Sequence, residues 1–170
     1  MTVSLFSFVD LYTRVLDTAS HILTKGAAHA AANNVSEQEM LDWRLIDDMQ
    51  PLRFQIMVVC NFTRQWPARV AGLDVPADLG VELTLKEFQA AIAESKAFLA
   101  QLRPEQFAGR DDVPLKVSIA SGGMEPTLPA GRWLTVFATT NLYFHLSTAY
   151  GILRAKGVPL GKVDLFASGL

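Results

Sequence analysis

Spaced at about 100° per residue, the apolar positions of the N-terminal segment fall on one stripe: Leu5, Phe8, Tyr12, Val15, Ala19, Ile22 and Leu23. Asp10, Arg14, Asp17, His21 and Lys25 occupy the opposite side, so the pattern predicts an amphipathic helix over about 4–33. Asn33-Asn34 ends it, because Asn tolerates the left-handed backbone of a helix terminus. A second stripe of Leu52, Ile56, Val59, Thr63, Trp66 and Val70 predicts a helix over 49–72, closed by Gly72. Asp47 or Asp48 is expected to cap it, with Pro51 in its first turn and a bend at Pro67. Thr84 and Glu87 form a capping box for a third helix, 85–102, which places Leu85, Phe88, Ile92, Leu99 and Leu102 inward and ends before Pro104.

Between these segments two stretches differ in kind. Ser36 and Glu39 read as the start of a short helix whose segment carries Met40, Leu41, Trp43 and Leu45 and packs as a lid over the bundle. Val113, Leu115, Val117 and Ile119 alternate with other residues as a half-buried strand does, and Ser121-Gly122-Gly123 supplies a turn. A β-hairpin is therefore expected within 111–129. The last helix, 131–156, is stopped by Gly157 and shows two apolar faces. One holds Trp133, Phe137, Phe144, Thr148 and Ile152, the other Leu142, Leu146, Tyr150 and Leu153. Together these elements predict one domain over 1–170, an antiparallel four-helix bundle with a short hairpin before the last helix.

Composition narrows the class. The 170 residues are 50% hydrophobic and 19% charged, and the mean hydropathy of +0.22 is high for a lone globular subunit. With Phe54 and Val58 lying off the core stripe and helix 4 apolar on two sides, this predicts an isologous homodimer. The alternative cover is the lid together with Val163 to Phe166 of the same chain. The net charge of −2, with scattered basic residues, argues against nucleic acid as a partner. One cysteine, no basic leader and no long apolar run point to a cytoplasmic protein that does not enter a membrane.

Candidate chemistry sits on helices 2 and 4. Asn141 and His145 are four residues apart and share a direction, beside Phe137 and Thr148, while Gln55 points inward from helix 2. Buried polar groups need partners, so these three either satisfy one another or line a pocket holding water or a small molecule. A lone histidine suits proton transfer near neutral pH, but the spacing offers no nucleophile beside it. His21 is expected to be solvated, and Cys60 to be a small buried hydrophobe. Trp43, Trp66 and Trp133 read as core anchors.

Asp48 with Gln55 seven residues on, and Asn141 and His145 ahead of Ile152-Leu153-Arg154 and Gly157, resemble the DinB/YfiT-like superfamily. Asp48-Met49-Gln50-Pro51-Leu52, Asn141 to His145, and Gly157-Val158-Pro159-Leu160-Gly161-Lys162 are similar to its bacterial domain-of-unknown-function family, numbered nineteen-ninety-three. The resemblance implies the bundle fold. It also implies that Gln55, Asn141 and His145 stand where relatives carry three histidines that bind zinc or nickel. Two of the three are neutral amides here, which are weak ligands for those metals. The expected pocket, with Asp48 at its edge, therefore holds no tightly bound metal, and His145 is the one residue able to contact any. The function this suggests is a small-molecule-binding or stress-related module with a degenerate metal site. The alternative is a divalent-metal-dependent transferase or isomerase acting with a low-molecular-weight thiol.

Overall fold

The computed structural model describes residues 4–119 and 123–167. Four long helical segments form an antiparallel bundle: α1 (Ser7–Ala32), α3 (Leu52–Ala71), α4 (Leu85–Gln101) and a last one built in three parts. That last segment is α5 (Ala130–Arg132), a π-helical stretch (Trp133–Ala138) and α6 (Thr139–Ala155). The lid helix α2 (Glu37–Leu41) and the hairpin strands β1 (Pro114–Lys116) and β2 (Thr127–Pro129) complete the expected order. The strands pair antiparallel with Leu115 opposite Leu128, and an isolated bridge joins Ile119 to Met124. Gly123 has φ +74°, as the glycine turn requires, whereas Ser121 and Gly122 lie outside the described residues.

Helix ends obey the sequence signals. Asn34 adopts φ +57° and lets Val35 N–H reach the Ala30 carbonyl (2.9 Å) while its own N–H reaches Ala31 (3.3 Å). The same two-bond closure recurs after Gly72 and Gly157, at φ +73° and +87°. Thr84 and Glu87 cap α4 reciprocally, and Ser36 Oγ accepts from the Glu39 amide. The expected cap on α3 is absent. Pro51 is its N-cap, without a side-chain bond, and Asp48 lies exposed in the preceding turn. The lid makes the cap unnecessary there, because the free Leu52 amide donates to the carbonyl of Trp43 at 2.8 Å.

α3 is the central helix. It packs against α1, α4 and α6, and its buried face includes Leu52, Ile56, Val59, Cys60 and Trp66. It also buries polar side chains that the periodicity did not distinguish. Asn61 and Gln65 bond to the chain at Leu79, Pro76 and Asp78, which staples the long connection to α4 onto the helix. Arg53, buried at 3% exposure, pairs with Asp42 at 2.7 Å and ties the lid to α3. Met40 and Leu41, on the inner side of the lid helix, are fully buried, but Leu45, expected to pack, stays 43% exposed.

Two readings of the outer faces change. Val58 is only 8% exposed and belongs to the core, whereas Phe144, placed inward by the projection, is 58% exposed. The π stretch explains the second change. Ala130, Leu134, Ala138, Leu142 and Leu146 are all buried at a spacing of four. On a regular helix that spacing drifts by about 40° at each step. The wider turn from Trp133 to Ala138 takes up that drift over the first two steps, so a constant-angle projection across it misplaces the residues beyond the turn.

α1 meets α6 closely at Gly26. A Cβ there would lie 2.8 Å from Leu153 Cδ2 and 3.2 Å from Met40 Sδ, both on fully buried side chains. Overpacking costs about 1–3 kcal/mol, against about 1 kcal/mol gained from helix propensity. Gly26→Ala is thus expected to lose about 1 kcal/mol, read as a lower urea midpoint. A stabilised variant would show that the seam has slack.

Candidate functional site

The seam between α3 and α6 brings Gln55 and His145 together. Gln55 is 2% exposed on the buried side of α3. Its Nε2 donates to the Gln50 carbonyl at 2.9 Å, which turns Oε1 toward His145 Nδ1 at 2.7 Å. An amide oxygen can only accept, so Nδ1 carries the proton and the lone pair of the neutral ring resides on Nε2. Phe54 and Phe144 flank the imidazole, with ring centroids 6.0 and 5.2 Å away. Burial lowers the His145 pKa below its ordinary 6.5, which keeps the ring neutral and basic at physiological pH.

The other expected members make no hydrogen bond to this pair among the described residues. Asn141 donates its amide to the Phe137 carbonyl on its own helix at 2.8 Å. Thr148 Oγ1 likewise donates to Phe144 at 2.7 Å. Phe137 enters an aromatic cluster with Phe62, Trp66 and Trp133. Asp48 is exposed and caps nothing. Gln50, whose carbonyl sets the orientation of Gln55, contributes only main chain, and no side-chain pattern could have revealed it.

The donor chemistry does not fit zinc or nickel. Gln55 and Asn141 offer only neutral amide oxygens, which are weak ligands for these metals. The Gln55 oxygen already accepts from His145 Nδ1, which leaves one imidazole nitrogen as the strong donor of the three. Among the described residues, no three His, Cys, Asp or Glu side chains are grouped closely enough to hold a metal.

The remaining histidines and the cysteine serve the fold. His21, expected to be solvated, instead meets Asp164 Oδ1 at 2.7 Å beside Lys25 Nζ at 2.9 Å. With the Gly161 amide on Oδ2, these contacts hold the Asp164 carboxyl far below the usual range and dock the C-terminal turn on α1. His29 bonds to the Lys156 carbonyl at 3.1 Å. Cys60 is fully buried, and burial pushes its thiol up to about 12, so it remains protonated.

His145 makes stability depend on pH. The unfolded chain protonates this ring near 6.5, while the folded site resists. Its contribution to stability is complete above that pH and is lost as the pH falls through 6.5 toward the lower folded value. The Asp164 contribution disappears only below about 4, the ordinary aspartate range, so the two windows are separate. Urea titrations should show declining stability between neutral and mildly acidic pH, and a smaller decline in His145→Gln. Identical slopes in the two proteins would remove His145 as the source.

Comparison with known sequences and structures identifies the family and the fold. The family described as "Domain of unknown function (DUF1993)" matches residues 6–166. The crystal structure of a DinB family member protein from Shewanella denitrificans superposes with a TM-score of 0.83 at 28% sequence identity. The superposition covers 92% of this chain and 88% of that one. No curated protein matches the chain.

Proposed function

The chain belongs to the DUF1993 family and has the DinB-like bundle fold, and from that premise we propose that it is a small-molecule-binding module. In this reading the superfamily's metal position has become a neutral hydrogen-bonding pair, Gln55–His145. One observation carries it: Gln55 is locked by Gln50, so the imidazole offers a basic Nε2 rather than sharing a set of metal ligands. A ligand with a hydroxyl or N–H donor, and an apolar body to lie against Phe54 and Phe144, fits that arrangement. Asn141, Phe137 and Thr148 shape the seam, and Asp48 lies outside it. The role is that of a bacterial cytoplasmic binding or stress-related protein. Its single cysteine supports that address, and no helix among the described residues is long and apolar enough to cross a membrane.

We propose further that the protein works as a homodimer. Val136, Tyr143 and Phe144 form an exposed apolar stripe along the outer side of the last helix, 56%, 44% and 58% exposed. That stripe is the supporting surface.

The test uses untagged protein. Elemental analysis should find no stoichiometric zinc or nickel, and thermal-shift screens should show no stabilisation by either metal or by low-molecular-weight thiols. Light scattering should report a dimer, and Phe144→Glu a monomer. His145→Ala should change small-molecule retention while metal content stays near zero. Stoichiometric metal would overturn this reading in favour of the metal-dependent transferase or isomerase.

A further inference from the structure

A second site lies at the hairpin end of α3, about 16 Å along the helix from Gln55, from an eleven-residue separation and the helical rise. A cleft of about 270 Å³ opens there between α3, the π stretch and the strand that continues from β1. Trp66, Phe62 and Phe137 form its aromatic wall; Arg69, Asp78 and Ser118 supply its polar rim. A neighbouring concavity of about 520 Å³ shares Arg69, Val117 and Ser118, so the two meet at that rim.

Three independent features make this more than a surface dent. Trp66 is 3% exposed and lines the cleft, and its indole N–H, which makes no hydrogen bond among the described residues, is not closed off from solvent. Its stacked neighbour Trp133, by contrast, donates to the Leu115 carbonyl at 2.8 Å. An indole N–H left open in this way can donate to a ligand. The half-buried Arg69 guanidinium lies 5.2 Å from the Trp66 ring centroid, and its one side-chain hydrogen bond among the described residues is long, 3.4 Å to Gln65 Oε1. The fork therefore keeps N–H groups for an incoming anion. Finally, the π-helical turn from Trp133 to Ala138 carries Phe137 into the wall, and such turns recur at ligand sites.

We propose that this cleft binds a small planar aromatic carboxylate. The ring lies against Phe62 and Phe137, the partly buried aromatics of the wall, beside the edge of Trp66. The carboxylate accepts from the Arg69 guanidinium and the Trp66 N–H. Asp78 also lines the cleft, but its Oδ1 already accepts from Gln65 Nε2 at 2.8 Å. Its charge directs the ligand's anion to the Arg69 side. The site shares no polar group with the Gln55–His145 pair and stands independently of the role assigned there.

Benzoate, benzyl alcohol and cyclohexanecarboxylate separate the contributions of ring and charge. In a ¹⁵N-resolved titration of the full chain, benzoate at millimolar concentration should move one indole N–H resonance downfield. That resonance is identified as the one missing in Trp66→Phe. The Trp133 indole, already bonded, should respond less. Benzyl alcohol and cyclohexanecarboxylate should each bind at least about tenfold more weakly, and Arg69→Gln should weaken benzoate by about tenfold or more, as loss of a charge-assisted pair does. Arg69→Lys should recover part of that loss, because the charge remains. Arg69 lies on the rim, so its variants keep the fold, which a thermal melt verifies. Benzoate binding that is absent, unaltered in Arg69→Gln, or matched by cyclohexanecarboxylate would overturn the assignment.

Discussion

Trp133→Ala is expected to lower the unfolding free energy by about 3–5 kcal/mol, the cost of deleting a fully buried aromatic side chain. Trp133 is 0% exposed, stacks on Trp66 at 5.2 Å between centroids and meets Phe137 edge-on at 5.1 Å. Its Nε1–H donates to Leu115 in β1, so the same residue fastens the hairpin to the bundle. Truncation leaves a cavity among rigid rings that collapse poorly and also frees a carbonyl acceptor. Against a typical stability of about 5–15 kcal/mol, that loss is a large fraction. Urea unfolding followed by circular dichroism should show it as a large drop in midpoint. Trp133→Phe, which retains most of the volume, should lose less. A loss below about 1 kcal/mol for the alanine variant would contradict the packing described, since removal of a well-packed buried ring costs several times that.

Tyr12→Phe tests the π stretch itself, with an expected loss of about 1–2 kcal/mol for a buried hydrogen bond whose acceptor keeps other donors. The Tyr12 phenol is buried in α1, and burial raises its pKa above the normal tyrosine value, so it is a permanent O–H donor. It lies 3.1 Å from both the Leu134 carbonyl and Thr139 Oγ1. Thr139 donates its hydroxyl to the same carbonyl at 2.8 Å, and the Thr139 amide reaches it as well. That carbonyl is the acceptor of the widened turn, and α1 holds it in place from outside. Removing the phenol should therefore speed amide hydrogen exchange over 133–139 more than elsewhere. Unchanged exchange there would mean that the turn is held by its own helix alone.

The order of elements was legible in the chain because its signals are local. Asn34, Gly72 and Gly157 stop helices through their own backbone preferences, Thr84 and Glu87 start one, and period-two alternation marks the strand at Leu115. The resemblance carried by Asp48, Gln55, Asn141 and His145 likewise led to the family that the whole-chain match shows. Features that depended on contacts between distant segments were not legible. The α3 cap came from the Trp43 carbonyl rather than from Asp48, and Arg53 and Gln65 are buried because Asp42 and Asp78 come to meet them. Phe144 turned outward because a π turn, stabilised by Tyr12 from another helix, reset the register that a constant 3.6-residue period assumes. The candidate site divides in the same way. Sequence spacing determined that Gln55 and His145 face one seam, whereas tertiary structure decided which atoms meet. A main-chain carbonyl at Gln50 orients the amide, the amide selects the imidazole tautomer, and only three-dimensional proximity connects them.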